Sequence, residues 1–286
     1  MTAMLVFKRL TALAAMMGAF AAGGAAWAEA GRPSNWQLGL QESVTPVMDT
    51  IISFHNYLLI VVTLITAFVL ALLVIIAVRF NVRANPTPSR TTHHTLLEVA
   101  WTVVPVIILV AIAIPSFRLL FYQLNLPPAD LTVKATGKQW YWTYSYPDNG
   151  KFEFDSFLVK DPTKLRPDQP RLLGVDNEMV VPVNKVVRVQ TIGNEVIHAF
   201  AVPSFGIKID AIPGRLNETW FRATREGIYY GQCSELCGKD HAFMPIAVRV
   251  VSEQAFAAWV EEAKKKYARD GDGRTNVAAA DPSTAP

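Results

Sequence analysis

The chain has 286 residues, of which 51% are hydrophobic, and its mean hydropathy of +0.23 is high for a purely soluble protein. The length allows one ordinary soluble domain plus membrane segments. The 27 basic and 24 acidic residues nearly balance, so no nucleic-acid partner is expected. The apolar residues concentrate in the first 120 positions, which indicates membrane segments followed by an outer domain.

Residues 1–28 have the pattern of a secretory signal peptide. A short basic region precedes the apolar, uncharged residues 10–22, and Ala-Trp-Ala at residues 26–28 fits the cleavage pattern before Glu29. The alternative is an uncleaved membrane anchor. Cleavage is favoured because the apolar core is short for a membrane span and is followed by a Gly-Gly pair.

Two longer apolar runs within residues 29–124 predict a transmembrane helical hairpin, with spans at about residues 55–79 and 97–120. The uncharged run 57–78 would reach roughly 33 Å, a full hydrocarbon core, at about 1.5 Å rise per residue. The alternative is a pair of buried core helices. The short polar loop between the two runs favours the hairpin.

The loop between the spans predicts the orientation. It carries Arg79, Arg83 and Arg90 and no acidic residue before Glu98. Positive loops stay in the cytoplasm, so we expect a two-pass protein of a bacterial inner membrane with both termini in the periplasm. That compartment disfavours free thiols, so the two cysteines require an explanation.

Residues 125–252 have the pattern of an all-β domain, with short β-branched or aromatic runs separated by turn motifs. No βαβ alternation and no glycine-rich nucleotide loop occurs in the sequence, so we predict an antiparallel, cupredoxin-like sandwich or barrel. Residues 253–268 predict a C-terminal helix, and residues 269–286 a disordered tail. The runs that predict strands are residues 131–136, 140–146, 179–183, 185–191, 219–223 and 246–251.

One motif carries two thiols, an imidazole and a thioether, at Cys233, Cys237, His241 and Met244. Thiolate and thioether are soft ligands that favour copper. A blue-copper site has one cysteine, two histidines and a weak axial methionine. A second thiolate would let both sulfurs bridge two copper ions.

A second imidazole is expected from His198, because the three remaining histidines lie before or between the membrane spans. His198 falls at the end of a predicted strand, which a cupredoxin-like sandwich would bring beside the cysteine loop. The backbone carbonyl of Glu235 would complete the ligand set. A disulfide between the cysteines is the alternative, and zinc is disfavoured because thioethers are not among its usual ligands.

Together these features closely resemble subunit II of haem–copper cytochrome c oxidases, over residues 37–259. Four motifs carry the resemblance. They are Gly-Lys-Gln-Trp-Tyr-Trp (137–142), Val-Ile-His-Ala-Phe (196–200), Asp-Ala-Ile-Pro-Gly-Arg (210–215) and Cys-Ser-Glu-Leu-Cys-Gly-Lys-Asp-His-Ala-Phe-Met (233–244).

The resemblance implies a role for each matching residue. The Glu235 carboxylate would reach a magnesium ion shared with the catalytic subunit. Trp140 would receive the electron from cytochrome c, and Glu98 would lie at the mouth of a proton path. On residue type alone, Trp140 could be an ordinary strand aromatic and Glu98 an ordinary interfacial acid. The implied ligands of the dinuclear copper centre, CuA, are His198, Cys233, the Glu235 carbonyl, Cys237, His241 and Met244.

The resemblance also implies function and partners. The chain would accept electrons from reduced cytochrome c and pass them to catalytic subunit I, which reduces oxygen to water and translocates protons. Subunit III and membrane lipid are further expected partners. The haems and second copper would lie in the partner subunit, because this sequence has no ligand set for them.

Three other functions are alternatives to this one. A Sco-type copper chaperone has one span and lacks the histidine and methionine that follow the cysteines here. A quinol oxidase subunit lacks the copper ligands. The CuA domain of a nitric or nitrous oxide reductase remains an alternative, although the hairpin and Glu98 favour the oxidase. Covalent haem is excluded because no Cys-x-x-Cys-His motif occurs.

The sequence departs from the family at the surface where cytochrome c would dock. Ser145, Gly174 and Asn194 stand where members that use a basic cytochrome c often have acidic residues. Residues 129–260 carry fifteen basic and fifteen acidic side chains, so a strongly acidic steering surface is not evident. We therefore expect docking to be less electrostatic, or the donor to be less basic.

Overall fold

The computed structural model of the protein describes residues 31–267. The predicted signal peptide (residues 1–28) and tail (residues 269–286) lie outside these residues. The described part consists of two long helices, a β-sandwich and a short helix after the last strand. The helices are α1 (Pro46–Arg79), α2 (Thr95–Leu124) and α3 (Glu253–Lys266).

Side-chain caps begin both long helices. The Thr45 hydroxyl accepts a hydrogen bond from the Met48 backbone N–H at 3.0 Å, and the His94 ring accepts one from Leu97 at 3.2 Å. Such caps satisfy backbone donors that the first helical turn leaves unpaired. Both helices are long and apolar enough to cross a membrane, and their apolar side chains are exposed along the spans. The helices fit a two-pass membrane protein.

Helix α1 begins well before the predicted span at residues 55–79 and packs its first turn on the β-sandwich. The Thr45 hydroxyl also donates to the Phe205 carbonyl at 2.7 Å, and Met48 is buried. Gly206 has a φ of 70°, and a Cβ there would lie 2.7 Å from Ile51 Cδ1. This close approach joins the membrane helix directly to the outer domain.

Two five-stranded sheets form the sandwich. Their strand orders are β3-β2-β1-β5-β8 and β4-β10-β9-β6-β7. The strands are β1 (Leu131–Lys138), β2 (Tyr141–Ser145), β3 (Glu153–Ser156), β4 (Met179–Pro182), β5 (Val187–Gly193), β6 (His198–Val202), β7 (Ile207–Ala211), β8 (Asn217–Phe221), β9 (Gly227–Cys233) and β10 (Pro245–Val251).

The predicted fold class, a helical hairpin followed by an all-β sandwich, is confirmed. The pairing is not purely antiparallel as expected, because β1 pairs in parallel with β5 and β4 with β10. Alternate residues of β1 point into the core. Trp142, Tyr144 and Phe200 fill the space between the sheets. The ring centroid of Trp142 lies 5.4 Å from that of Phe200, and the ring centroid of Tyr144 lies 6.5 Å from it.

A buried tyrosine ties the two sheets together and provides a test of the core. The Tyr146 hydroxyl donates to the Val180 carbonyl at 2.8 Å and accepts from the Val180 N–H at 2.9 Å. Tyr146→Phe leaves both backbone groups buried and unpaired, so we expect a loss of about 1–3 kcal/mol in the free energy of unfolding. Urea denaturation of the detergent-solubilised chain, followed by tryptophan fluorescence, would measure this loss.

Tyr144→Phe is the matched control for this prediction. The Tyr144 hydroxyl is buried and has no hydrogen-bond partner among the described residues, so its removal should leave stability unchanged or raise it. Equal losses in the two variants would contradict the assignment of the Tyr146 bonds as the cause.

Candidate metal centre

The structure brings the predicted side-chain donors together at one end of the second sheet. His198 is the first residue of β6, rather than the last of a strand as the sequence pattern indicated. Cys233 is the last residue of β9, and β6 and β9 are hydrogen-bonded neighbours. The loop from β9 to β10 carries Cys237, His241 and Met244.

The two cysteines lie at the middle of the cluster. Their Sγ atoms are 3.8 Å apart and both thiols are free, far beyond the roughly 2.05 Å of a disulfide bond. His198 Nδ1 lies 3.8 Å from Cys233 Sγ, and His241 Nδ1 lies 3.5 Å from Cys237 Sγ. Each imidazole therefore faces a different sulfur.

Two weaker donors complete the arrangement, again one beside each cysteine. Met244 Sδ lies 3.6 Å from Cys237 Sγ. The Glu235 carbonyl oxygen lies 3.3 Å from Cys233 Sγ, while the Glu235 side chain is exposed. The cluster thus divides into two half-sites, each with a thiol, an imidazole and one weaker donor.

The chemistry of this donor set fits copper. Ligand atoms of His198, Cys233 and Cys237 lie within 4.8 Å of one another, and all three residues are buried. Burial lowers the pKa of His198, which favours the neutral imidazole that binds metals. Burial, with the nearby Cys233 adding to it, raises the pKa of the Cys237 thiol to about 12. A soft cation that replaces the thiol proton would compensate this buried charge.

Side chains from β2 and from the turn before it hydrogen-bond to the loop that joins β9 to β10. Trp140 Nε1 and Gln139 Nε2 each donate to the Cys237 carbonyl at 3.1 Å, and Trp142 Nε1 donates to the Met244 carbonyl at 3.3 Å. No sequence pattern predicts a role for Gln139 or for the Trp142 indole. Their signal was the Gly-Lys-Gln-Trp-Tyr-Trp motif, but nothing in that motif indicates which carbonyl each side chain contacts.

Two glycines allow close packing around the cluster. A Cβ at Gly137 would lie 2.8 Å from His198 Cδ2, so a side chain there would displace the imidazole. Gly238 has a φ of +122°, and a Cβ there would lie 2.9 Å from Trp140 Cζ2. Both positions therefore favour glycine.

Trp140 and Trp142 differ in their surroundings. Strand β2 begins at Tyr141, so Trp140 lies just before it and is only partly buried, whereas Trp142 is fully buried. Trp140 is therefore the indole that is partly open to solvent and also hydrogen-bonded to the Cys237 carbonyl.

Glu98 lies in the first turn of α2 and does not belong to the cluster of cysteine, histidine and methionine side chains. Its carboxylate accepts a hydrogen bond from the His94 N–H at 3.3 Å, and the His94 ring caps the Leu97 N–H in return. This reciprocal pair resembles a capping box, with the acid one residue later than in the usual motif. The contact gives Glu98 a structural role at the helix start that residue type alone did not indicate.

Comparison with known proteins identifies the family. The family model for the periplasmic domain of cytochrome c oxidase subunit II matches residues 131–251, and the model for its transmembrane domain matches residues 33–119. A probable cytochrome c oxidase subunit 2 of Rickettsia bellii is 52% identical over 85% of this chain and 90% of its own length. The Cereibacter sphaeroides subunit is 47% identical over 82% of each chain.

A crystal structure of the periplasmic domain of subunit II of cytochrome oxidase from Bradyrhizobium japonicum is also similar. It is 73% identical, covers 50% of this chain and 100% of its own length, and has a TM-score of 0.48. The two family matches together span most of the chain, including the first long helix, most of the second and the whole sandwich. The chain therefore belongs to the cytochrome c oxidase subunit II family.

Proposed function

We propose that the chain is the electron-accepting subunit of a proton-translocating cytochrome c oxidase. It takes electrons from reduced cytochrome c and passes them to a haem–copper catalytic subunit, where oxygen is reduced to water. The observation that carries the proposal is the convergence of two free thiols, two imidazoles and a thioether at one end of the sandwich. Such a set is suited to electron transfer by copper.

The residues of the cluster would hold a dinuclear copper centre, CuA. Bound there, two copper ions would supply a one-electron redox centre. The division into two half-sites, each with one imidazole beside one thiol, supports a site that would hold two ions rather than one. Both cysteines and His198 are buried, which would limit the access of substrate to the ions and favours electron transfer over substrate chemistry. The proposed ligands are His198, Cys233, the Glu235 carbonyl, Cys237, His241 and Met244.

Trp140 is the proposed residue through which electrons arrive from cytochrome c. Its ring is partly exposed, and its indole N–H donates to the Cys237 carbonyl at 3.1 Å. One hydrogen bond therefore separates a surface aromatic from a proposed copper ligand.

Glu235 is proposed to serve two ions. Its carbonyl oxygen points to Cys233 Sγ, and its exposed carboxylate is free to reach a magnesium ion shared with the catalytic subunit. Carboxylate oxygens are ligands that magnesium prefers. We further propose that Glu98, in the first turn of α2, lies at the mouth of a proton path into that subunit.

The proposed setting is a bacterial inner membrane, with both termini in the periplasm and subunits I and III as neighbours. The apolar side chains exposed along α1 and α2 support contact with lipid and partner helices. Arginines in the loop that joins the helices support a cytoplasmic position for that loop.

Electron paramagnetic resonance of the copper-loaded, full-length chain in detergent tests the proposal. An electron shared equally by two copper nuclei gives a seven-line hyperfine pattern, which is the expected result. A chelator-treated sample of the same preparation is the control. A four-line signal from a single copper ion would contradict the dinuclear centre.

A further inference from the structure

One buried tryptophan contacts a proposed copper ligand from each half-site. Trp142 lies on β2 and is fully buried between the two sheets. Its indole N–H donates at 3.3 Å to the carbonyl of Met244, whose thioether lies beside Cys237. Its ring also meets the imidazole of His198, which lies beside Cys233, with the ring centroids 6.0 Å apart and the ring planes at 61°. A single side chain therefore links the two halves of the cluster.

The imidazole of His198 is held by packing rather than by a second hydrogen bond. Histidines that bind metals usually donate their other ring N–H to a carboxylate, a carbonyl or water, which fixes the ring. Nδ1 of His198 faces Cys233, but its Nε2 is buried and has no hydrogen-bond partner within residues 31–267. The ring rests instead on Gly137, where a Cβ would lie 2.8 Å from His198 Cδ2, and on Trp142, the residue opposite Gly137 in the pairing of β1 with β2.

The two segments joined by Trp142 are not neighbouring strands. His198 begins β6, whereas Met244 ends the loop before β10, and β9 lies between these two strands in the second sheet. Trp142 reaches both segments from the facing sheet. Its own ring is packed edge-on against Phe200, with centroids 5.4 Å apart and planes at 86°. The tryptophan thus supplies a contact between two ligand segments that direct strand pairing does not supply.

We infer that Trp142 is a positioning residue of the proposed copper centre, which fixes the His198 imidazole relative to the Met244 end of the ligand loop. Residues outside the ligand shell orient the ligands of a metal and tune its properties. Two ions share an electron equally only when their ligand geometries match, so a shift of one half-site relative to the other would localise the electron. The inference rests on the proposed function and deepens it, because Trp142 would control how the electron is shared.

Two replacements of Trp142 test the inference in the full-length chain in detergent. Trp142→Phe removes the indole N–H and part of the ring surface. The amino acid β-(3-benzothienyl)alanine, incorporated at the same position, has sulfur in place of the N–H and keeps the shape of the ring. We expect copper affinity, measured by competition with a chelator, to fall about 10–100-fold in Trp142→Phe and by less with the analogue. In both variants, the seven-line hyperfine pattern should shift towards the four lines of an electron localised on one copper ion.

Trp220→Phe is the matched control, because the Trp220 side chain is also buried and its indole N–H has no hydrogen-bond partner in the described part of the chain. It should keep both the affinity and the pattern. Near-UV circular dichroism of the copper-free chains shows which variants are folded, and the analogue alone decides if Trp142→Phe does not fold. If the folded variants keep the seven-line pattern, whatever their affinity, the inference is overturned and the proposed function stands. A four-line signal in the wild-type chain would instead contradict the dinuclear centre on which the inference rests.

Discussion

Replacement of Cys237 by serine is expected to abolish copper binding at the cluster, because this thiol lies beside three other donors of the site. Its Sγ lies 3.8 Å from Cys233 Sγ, 3.5 Å from His241 Nδ1 and 3.6 Å from Met244 Sδ. A serine hydroxyl is a hard donor that copper binds poorly in place of a thiolate. Oxidation of reduced cytochrome c by the complex should fall more than about 100-fold, beyond the loss typical of changes outside the ligand shell.

Copper content per chain and steady-state oxidation of reduced cytochrome c measure this effect. Ser234→Ala is a control from the same loop, since Ser234 is exposed and its backbone N–H, which donates to the Ala199 carbonyl at 3.0 Å, is retained in the variant. That variant should keep copper and activity. A Cys237→Ser complex that retained both would exclude this cluster as the electron-accepting centre.

The residues of the candidate metal site could be predicted because most of them are close in sequence. Cys233, Cys237, His241 and Met244 fall on one loop, so their residue types and spacing alone indicated copper. His198 was found by elimination among five histidines. The division into half-sites depends on the pairing of β6 with β9, which brings His198 beside Cys233. A local sequence pattern cannot predict this contact between residues that are distant in sequence.

Four of the ten strands, β3, β6, β7 and β9, lie outside the predicted runs, and two of these carry the site. Neither β6 nor β9 matched a predicted run, because both lie inside the second sheet and most of their residues are buried on both faces. Burial on both faces removes the period-two alternation by which strands are predicted. Gly231 in β9 also carries no side-chain signal, yet a Cβ there would lie 2.0 Å from the Ala201 carbonyl oxygen of β6.

The start of α1 shows a different limit of sequence patterns. Hydropathy identifies the part of a helix that matches the thickness of a bilayer. The first turns of α1 contain Asp49 and pack on the sandwich through Met48, so they lack an apolar signal of membrane length. Their helical state depends on the Thr45 cap and on contact with the outer domain.

Trp140→Phe is expected to slow electron arrival from cytochrome c while leaving the metal cluster intact. The variant loses the indole N–H that links the surface to the Cys237 carbonyl, but Gln139 still donates to the same carbonyl at 3.1 Å and holds the loop. We expect the second-order rate constant for reduction by cytochrome c to fall by about tenfold or more, equivalent to at least about 1.4 kcal/mol of activation free energy. Stopped-flow spectroscopy of the assembled complex would measure it.

Trp220→Phe is the matched control, because the Trp220 indole N–H has no hydrogen-bond partner among the described residues and lies on β8 in the other sheet from the ligand loop. It should leave the rate constant unchanged. The copper resonance signal separates two roles for Trp140. A slower reaction with an unchanged signal means that the ring carries the electron, whereas a changed signal means that the indole mainly supports Cys237. An unaltered rate constant in Trp140→Phe would contradict the proposed role of Trp140, and electrons would then enter through another surface residue.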